Sequence, residues 1–167
     1  MRERGIILTP EKVLAFQGGA TQMRVPMKPQ PSRDMTELRV EIVHGEAVLT
    51  YLAYPKGGTA RHAICGSPFG APGDVVWGKE TLHCEFTTSD NITPSGAMGV
   101  YSADGKVVTV GGKAVDWVEC RRDPYFETCQ SNHMPRELSR IVRTVKRVWV
   151  EQTAGACEWC CEFEEKL

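Results

Sequence analysis

At 167 residues the chain is long enough to bury a single hydrophobic core without disulfides or a structural metal, and its 41% hydrophobic and 25% charged residues are ordinary for a globular domain. Its formal net charge of −1 excludes a globally basic nucleic-acid binder, so a site for a polyanion must be a local patch. No apolar run is long enough to span a membrane, and residues 6–8 are too short for a signal-peptide core, so we expect a cytoplasmic protein.

The first predicted element is a helix that begins at Pro10, after Thr9 as N-cap, and ends at Gly18. The prolines at 26, 29 and 31 follow it closely. Because proline cannot donate to a sheet ladder, residues 25–31 are predicted to run extended at a sheet edge.

Two hairpins are predicted next. Residues 37–44 and 47–54 alternate apolar and polar side chains around a turn predicted at Gly45-Glu46, which is typical of paired half-buried strands. Between the segments 100–102 and 106–110, Asp104-Gly105 is a strong signal for a tight turn. A separate strand is predicted at 75–82, with Lys79 and Glu80 on opposite faces.

Near the end of the chain, Pro135 predicts the start of a short helix, and 141–151 is the longest predicted strand. The apolar positions of this strand change phase near residues 146 and 147, which indicates a β-bulge. Many short strands, few helices and a bent long strand favour a mainly β chain with some helix (α+β). The expected architecture is a partly closed β-barrel with one or two packed helices.

Seven cysteines without a secretory signal are most simply reduced thiols. Cys157, Cys160 and Cys161 have half of a zinc-site spacing, but neither Cys nor His follows them, so they are weak metal candidates and no cofactor is predicted. We therefore predict one domain at 1–155, followed by a Cys-rich acidic tail at 156–167.

Five motifs occur in one order across most of residues 6–150. They are Ile-Leu-Thr-Pro at 7–10, Gly-x-x-Thr-Gln-x-Arg continuing to Lys-Pro-Gln-Pro at 18–31, Pro-Phe-Gly-x-Pro-Gly-Asp-x-x-Trp-x-x-Glu-Thr at 68–81, Tyr-x-Ala-Asp-Gly at 101–105 and His-Met-Pro-Arg-x-x-Ser-Arg-Ile at 133–141. In these motifs the chain resembles phage and prophage proteins of the ASCH group, within the PUA-like superfamily. The resemblance implies a PUA-like pseudo-barrel with a cleft that recognises RNA or modified nucleotides.

One branch of the ASCH group contains amidohydrolases of acetylated cytidine, which use a lysine and a threonine of the link at 18–24 and a glutamate from elsewhere. Here Ala20 stands where the lysine would be, and Met23 stands where a second hydroxyl residue would be. Neither side chain can act as a nucleophile or activate one, and Thr21 alone is a poor nucleophile. This weakens the hydrolase interpretation.

Basic side chains near Pro135 provide the candidate anion site. In the predicted helix Arg136, Ser139 and Arg140 fall on one face by the i, i+3, i+4 rule, where they are suited to phosphate. Arg24 and Lys28 would extend this rim, with stacking surfaces at Trp77 and Tyr101. A structural ion pair for the arginines stays an open alternative.

Glu80 has two open interpretations. It accepts hydrogen bonds from a base or serves as a general base, or it forms an ion pair with Arg24, Arg136 or Arg140. If the protein is an enzyme, the catalytic candidates are Glu80, Thr21 and His133.

Three functions follow. The first is binding of RNA or another single-stranded nucleic acid. The second is hydrolysis of modified nucleosides or RNA, and the third is binding of a host protein by a phage-encoded chain.

Overall fold

The computed structural model describes residues 1–28, 30, 31, 35–53, 58, 61–85, 97–110, 128, 129, 131, 134–153 and 156–164. These residues are mainly β, as predicted, with one α-helix, α1 (Pro10–Gln17), and a 3₁₀ helix at Arg136–Leu138. The strands are β1 (Glu3–Ile7), β2 (Gln22–Pro26), β3 (Met35–Val43), β4 (Glu46–Ala53), β5 (Arg61–Gly66), β6 (Val75–Lys79), β7 (Leu82–Glu85), β8 (Ala97–Tyr101), β9 (Val107–Val110), β10 (Thr128–Cys129), β11 (Val142–Thr153) and β12 (Ala156–Phe163).

These strands form three sheets. Their orders are β1-β6-β11-β12-β2, β10-β7-β8-β9 and β3-β4-β5. Within the described residues each sheet has two edge strands and none closes into a barrel.

The chain divides into two compact units. Unit 1 comprises residues 1–4, 21–76 and 143–167, and unit 2 comprises residues 5–20 and 77–142. The single domain at 1–155 stays a prediction.

In unit 1, β12 pairs with β11 on one side and with β2 on the other, so the segment predicted as a tail contains an interior strand. Trp159, Cys161 and Phe163 alternate along it, and each is at most 2% exposed. The ring of Phe69 meets that of Phe163 edge-on, with centroids 6.2 Å apart. Burial of these large side chains is the main stabilising contribution visible in this sheet.

The long strand β11 contains the predicted bulge. Its pairing with β12 shifts register between Val145 and Arg147, so Lys146 is the extra residue. Strand β2 lies at the sheet edge and includes Pro26, which agrees with the extended edge predicted from the prolines.

The β3–β4 hairpin, also in unit 1, is confirmed. His44 and Gly45 form its turn with φ of 51° and 75°, and Val43 pairs with Glu46 across it. Positive φ at both positions matches the right-handed twist of the two strands. Strands β4 and β5 extend this hairpin to a three-stranded sheet.

In unit 2, α1 begins at Pro10 as predicted. The N–H of Gly18 donates to the carbonyl of Leu14 at its end, and Gly19 follows with φ of 96°. The β8–β9 hairpin is also confirmed, with Gly105 at φ of 70° in its turn. None of the helices in the described residues is long and apolar enough to cross a membrane.

The strand predicted at 75–82 is interrupted. Strand β6 ends at Lys79, and β7 starts at Leu82. The N–H of Glu80 approaches the sulfur of Met134 at 2.9 Å, and the carbonyl of Thr81 accepts hydrogen bonds from the backbone and hydroxyl of Ser102. The backbone groups of Glu80 and Thr81 therefore bond to a side chain and to a residue outside the strand, instead of pairing in a continuous strand ladder.

Candidate functional site

Among the described residues of unit 2, the most extensive polar cluster is centred on Arg140. Its Nη2 and Nε donate to the two carboxylate oxygens of Glu80 at 2.6 and 3.3 Å, and its Nη1 donates to both oxygens of Asp104 at 2.8 and 2.9 Å. Glu80 is 2% exposed. The arginine therefore neutralises a buried carboxylate and a second, more accessible one.

Tyr101 completes the cluster. The guanidinium carbon of Arg140 lies 3.7 Å from the centre of its ring, within range of a cation–π contact. The phenol donates a hydrogen bond to the carbonyl of Leu138, and Tyr101 is 3% exposed. Because the ring is buried and one face is covered, Tyr101 offers no free surface for base stacking.

Hydrogen bonds, charges and burial in the cluster shift the pKa values of its members. The hydrogen bonds from Arg140 lower the pKa of Asp104 from its usual 3.8 to about 2. Burial would lower the pKa of Arg140, but its hydrogen bonds to Glu80 and Asp104 outweigh burial and raise that pKa. Burial, aided by the charge of Glu80, raises the pKa of Tyr101.

Of the two interpretations of Glu80, the ion pair is present, and its partner is Arg140. Both oxygens of Glu80 accept hydrogen bonds from the guanidinium. Arg140, predicted to contact phosphate, is occupied by two carboxylates in this arrangement. The cluster is suited to holding unit 2 together rather than to binding an anion.

The predicted helix after Pro135 is only a 3₁₀ turn, from Arg136 to Leu138. Ser139 is already extended, with φ of −75° and ψ of 125°, and its hydroxyl donates to the carbonyl of Ile141. The helical spacing that was predicted to align Arg136, Ser139 and Arg140 on one face is therefore wrong beyond Leu138. The extended backbone at Ser139 allows Arg140 to contact Glu80 and Asp104, and these contacts favour it over a longer helix.

Trp77 lies on β6 with its side chain half-buried, on the face opposite Val76 and Gly78. The ammonium of Lys79 is 5.4 Å from the centre of its ring. A Cβ on Gly5 would come within 2.7 Å of ring atom Cζ2, so the indole packs against the backbone of Gly5. Lys79, the last residue of β6, is half-buried, and Glu80, which follows the strand, is buried.

In unit 1, a polar sheet face carries a second group of cations beside an indole. The guanidinium of Arg147 is 4.5 Å from the ring centre of Trp149, whose Nε1 donates to Glu151 at 2.8 Å. Arg24, on β2, reaches Glu151 at 2.9 Å. We call Arg24, Lys146, Arg147 and Trp149 the β11 face.

The pairing registers explain how this face forms. Trp149 on β11 and Arg24 on β2 both lie directly opposite Cys160 on β12, the strand between them. Arg24 must cross β12 to reach Glu151, and it thereby covers Cys160, which is 1% exposed.

The cations of the β11 face extend further into solvent than the acids that pair with them. The side chains of Arg24, Lys146 and Arg147 are 53%, 60% and 64% exposed. Those of Glu151 and Glu162 are 34% and 21% exposed. Glu162 accepts a hydrogen bond from Lys146 at 2.7 Å, which lowers its pKa.

The three C-terminal thiols of unit 1 are buried in β12 rather than grouped. Burial raises the pKa of Cys157 and Cys160, and it raises that of Cys161 to about 12. In the part of the chain that is described, no group of three or more His, Cys, Asp or Glu residues is placed to hold a metal ion.

The remaining candidates are placed as follows. In unit 1, the carbonyl of Thr21 accepts a hydrogen bond from the backbone of Phe163, and Lys28 is exposed just after β2. His133 lies outside the described residues. In unit 2, Arg136 is half-buried at the start of the 3₁₀ turn.

Unit 1 also contains an open cavity of about 270 Å³, lined by Arg2, Val43, His44, Glu46 and Val48. Arg2 donates to the carboxylate of Glu46 at 2.6 Å and to the carbonyl of His44 at 3.0 Å. The guanidinium of Arg2, in the cavity wall, therefore already donates hydrogen bonds to acceptors of the chain.

Sequence reasoning missed Asp104 as a partner of Arg140, because Asp-Gly had been interpreted only as a turn. It also left Trp149 unassigned, although an aromatic flanked by basic residues at 146 and 147 is a signal for nucleic-acid contact. Comparisons with protein-family models, with curated proteins and with solved structures found no match to this chain.

Proposed function

We propose that this chain is a nucleic-acid-binding module of the PUA-like, phage-associated kind that its motifs resemble, and that it takes single-stranded RNA on the β11 face. The observation that carries the proposal is the stacking of Arg147 over Trp149, with Arg24 and Lys146 beside them. The mainly β fold and the order of the five sequence motifs support the same assignment.

The chemistry of this face suits a single strand. An unpaired base of any identity can stack on the exposed guanidinium plane of Arg147, which the indole of Trp149 supports from the other side, while neighbouring cations contact the phosphates. Arg24, Lys146 and Arg147 are each more than half exposed, so a phosphate reaches them without displacing buried groups.

The acids of this face limit its affinity. Glu151 and Glu162 pair with the cations, and Glu158 lies opposite Glu151 on β12. Binding therefore exchanges surface ion pairs for phosphate contacts, and such ion pairs are individually weak, about 0–1 kcal/mol. We expect modest affinity that falls steeply as salt rises.

Fluorescence anisotropy with labelled single-stranded RNA and DNA, measured over a range of salt, tests the proposal. Arg24→Ala and Arg147→Ala should each lower the slope of log affinity against log salt by about one. Trp149→Leu should weaken binding about 5- to 150-fold, the loss expected for one stacked base.

Lys106→Ala is the matched control, because Lys106 is an exposed cation in the β8–β9 hairpin and is not one of the residues of the β11 face. Thermal unfolding of each variant checks that the fold is retained. Absence of binding at low salt, or equal loss in Lys106→Ala and Arg147→Ala, would contradict the proposal.

A further inference from the structure

Among the residues that the structure describes, strand β3 is an exposed edge of its sheet. It lies at one side of the sheet β3-β4-β5, and its described side chains from Glu37 to Val43 are exposed or half-exposed. Among them Leu38 is 38% exposed, and Ile42 is 56% exposed. An edge that presents apolar side chains and unpaired backbone groups is a template for another strand.

The hairpin turn fixes which backbone groups of β3 point outward. A two-residue turn is closed by a hydrogen-bonded pair, which here is Val43 with Glu46, and such pairs alternate along antiparallel strands. Arg39 and Glu41 therefore bond to β4, as Val43 does. The N–H and C=O groups of Val40 and Ile42 point away from the sheet.

The sequence of β3 is complementary to itself about Val40. We propose that two copies of the chain associate through β3, paired antiparallel about a two-fold axis that passes beside Val40. In this register Arg39 of each copy lies opposite Glu41 of the other, and Leu38 lies opposite Ile42. Two ion pairs and two apolar pairs then flank the central pair of valines, and each kind of cross-strand pair is stabilising.

Neighbouring registers are disfavoured by charge. A two-fold axis perpendicular to the sheet leaves a given side chain on the same sheet face in both copies. In an antiparallel pair, such an axis must lie between a residue and the same residue of the other copy. At Arg39 it places two arginines opposite each other, and at Glu41 it places two glutamates opposite each other. Like charges in directly opposed positions are destabilising, so Val40 is the favoured centre of these three.

The backbone groups of β3 that point away from β4 are also consistent with a centre at Val40. Because the N–H and C=O of Val40 point away from β4, the two valines exchange a pair of hydrogen bonds across the axis. The ladder is limited to about five residues a side, since Glu37 has φ of 54° and the β3–β4 register shifts between Thr36 and Arg39. The result is a continuous six-stranded sheet and a dimer that forms reversibly with concentration.

Sedimentation velocity over a concentration series tests the association. The unaltered chain should pass from monomer to dimer, whereas Arg39→Glu and Glu41→Arg should each raise the dimer dissociation constant at least about tenfold, because like charges then face each other. Lys106→Glu, which changes the net charge as Arg39→Glu does, should leave the dissociation constant unchanged.

Mixing the two charge variants is the decisive experiment. An equimolar mixture of R39E and E41R restores both opposite-charge pairs between unlike chains, so heterodimers should form where neither variant dimerises alone. The double variant R39E/E41R should dimerise as the unaltered chain does. Val40→Pro removes only outward hydrogen bonds and should give a folded monomer.

Three results would overturn the proposal. One is a monomeric unaltered chain at high micromolar concentration. Another is a dimer that the two charge variants leave unchanged, and the third is a mixture that does not restore association. RNA binding by the β11 face is measured separately and does not depend on these outcomes.

Discussion

Arg140 holds the buried carboxylate of Glu80 through two hydrogen bonds, from Nη2 at 2.6 Å and from Nε at 3.3 Å. The same guanidinium binds Asp104 in the β8–β9 turn and covers the ring of Tyr101. One side chain therefore connects the end of β6 with the β8–β9 hairpin inside unit 2.

Removing this arginine should strongly destabilise the protein. Arg140→Leu leaves the carboxylate of Glu80 buried without its cation, and loss of one partner of a buried ion pair costs about 3–5 kcal/mol. Urea denaturation measures the free energy of unfolding. Arg147→Leu is the control, because Arg147 forms an exposed ion pair expected to contribute about 0–1 kcal/mol.

The double variant E80Q/R140L should lose less stability than the sum of the two single variants, since no charge is then left buried. Equal unfolding midpoints for R140L and R147L would contradict the structural role of Arg140.

Acid should destabilise the protein through Asp104. The folded pKa of this group is about 2, below its usual 3.8, so its ion pair contributes stability that is fully present above about pH 4. That contribution is lost as pH falls from about 4 to about 2.

Thermal melts of the unaltered chain and of Asp104→Asn across this pH range check the effect. The variant should be less stable at neutral pH and should lose less stability on acidification. Parallel curves for the two proteins would show that Asp104 does not carry the effect.

Gly78 should not tolerate a side chain. A Cβ at this position would lie 2.4 Å from Cδ1 of Leu8 and 3.1 Å from Cβ of Ile141, so Gly78→Ala overpacks the strand and should cost about 1–3 kcal/mol. Gly66→Ala in β5 is the matched control, because no heavy atom of the described residues, its chain neighbours aside, lies within 4 Å of its added Cβ. Denaturant midpoints compare the two, and a Gly78→Ala variant as stable as Gly66→Ala would refute the close approach.

The thiols of β12 should be inert in the folded protein. Cys157, Cys160 and Cys161 are each at most 1% exposed, and the pKa of Cys161 is about 12, so little reactive thiolate is present. Brief treatment with iodoacetamide, followed by peptide mass mapping, should modify the half-exposed Cys65 before these three. After unfolding in denaturant all four should react, and early labelling of Cys161 in the native state would contradict its burial.

Local signals predicted much of the fold. Pro10 and Gly18 bounded the helix correctly, the glycine turns located both hairpins, and the phase change at 146–147 located the bulge. Each of these features depends on residues close in sequence, where backbone preferences act directly.

Strand β12 was missed for a chemical reason. Its cysteines were interpreted as possible metal ligands, although Cys157, Trp159, Cys161 and Phe163 alternate with period two and are all buried. A free cysteine behaves as a small apolar residue and is among the most buried types. When its cysteines are counted as apolar residues, the same segment predicts a strand.

The candidate site was only partly predictable. Glu80 was correctly considered as an ion-pair partner of an arginine, but three arginines were possible and Asp104 was not considered. Which charged groups meet depends on the packing of distant segments, and the helix at 136–140 failed for the same reason, since tertiary contacts of Arg140 overrode local preference.

The side chain of Gln30 bonds to both backbone groups of Cys157, 127 positions later in the chain. Strand β2 likewise has its ladder partner in β12. A ribosome therefore synthesises β2 long before its partner strand β12. Pairings so distant in sequence close slowly, so we expect refolding of unit 1 to be slow compared with that of local hairpins.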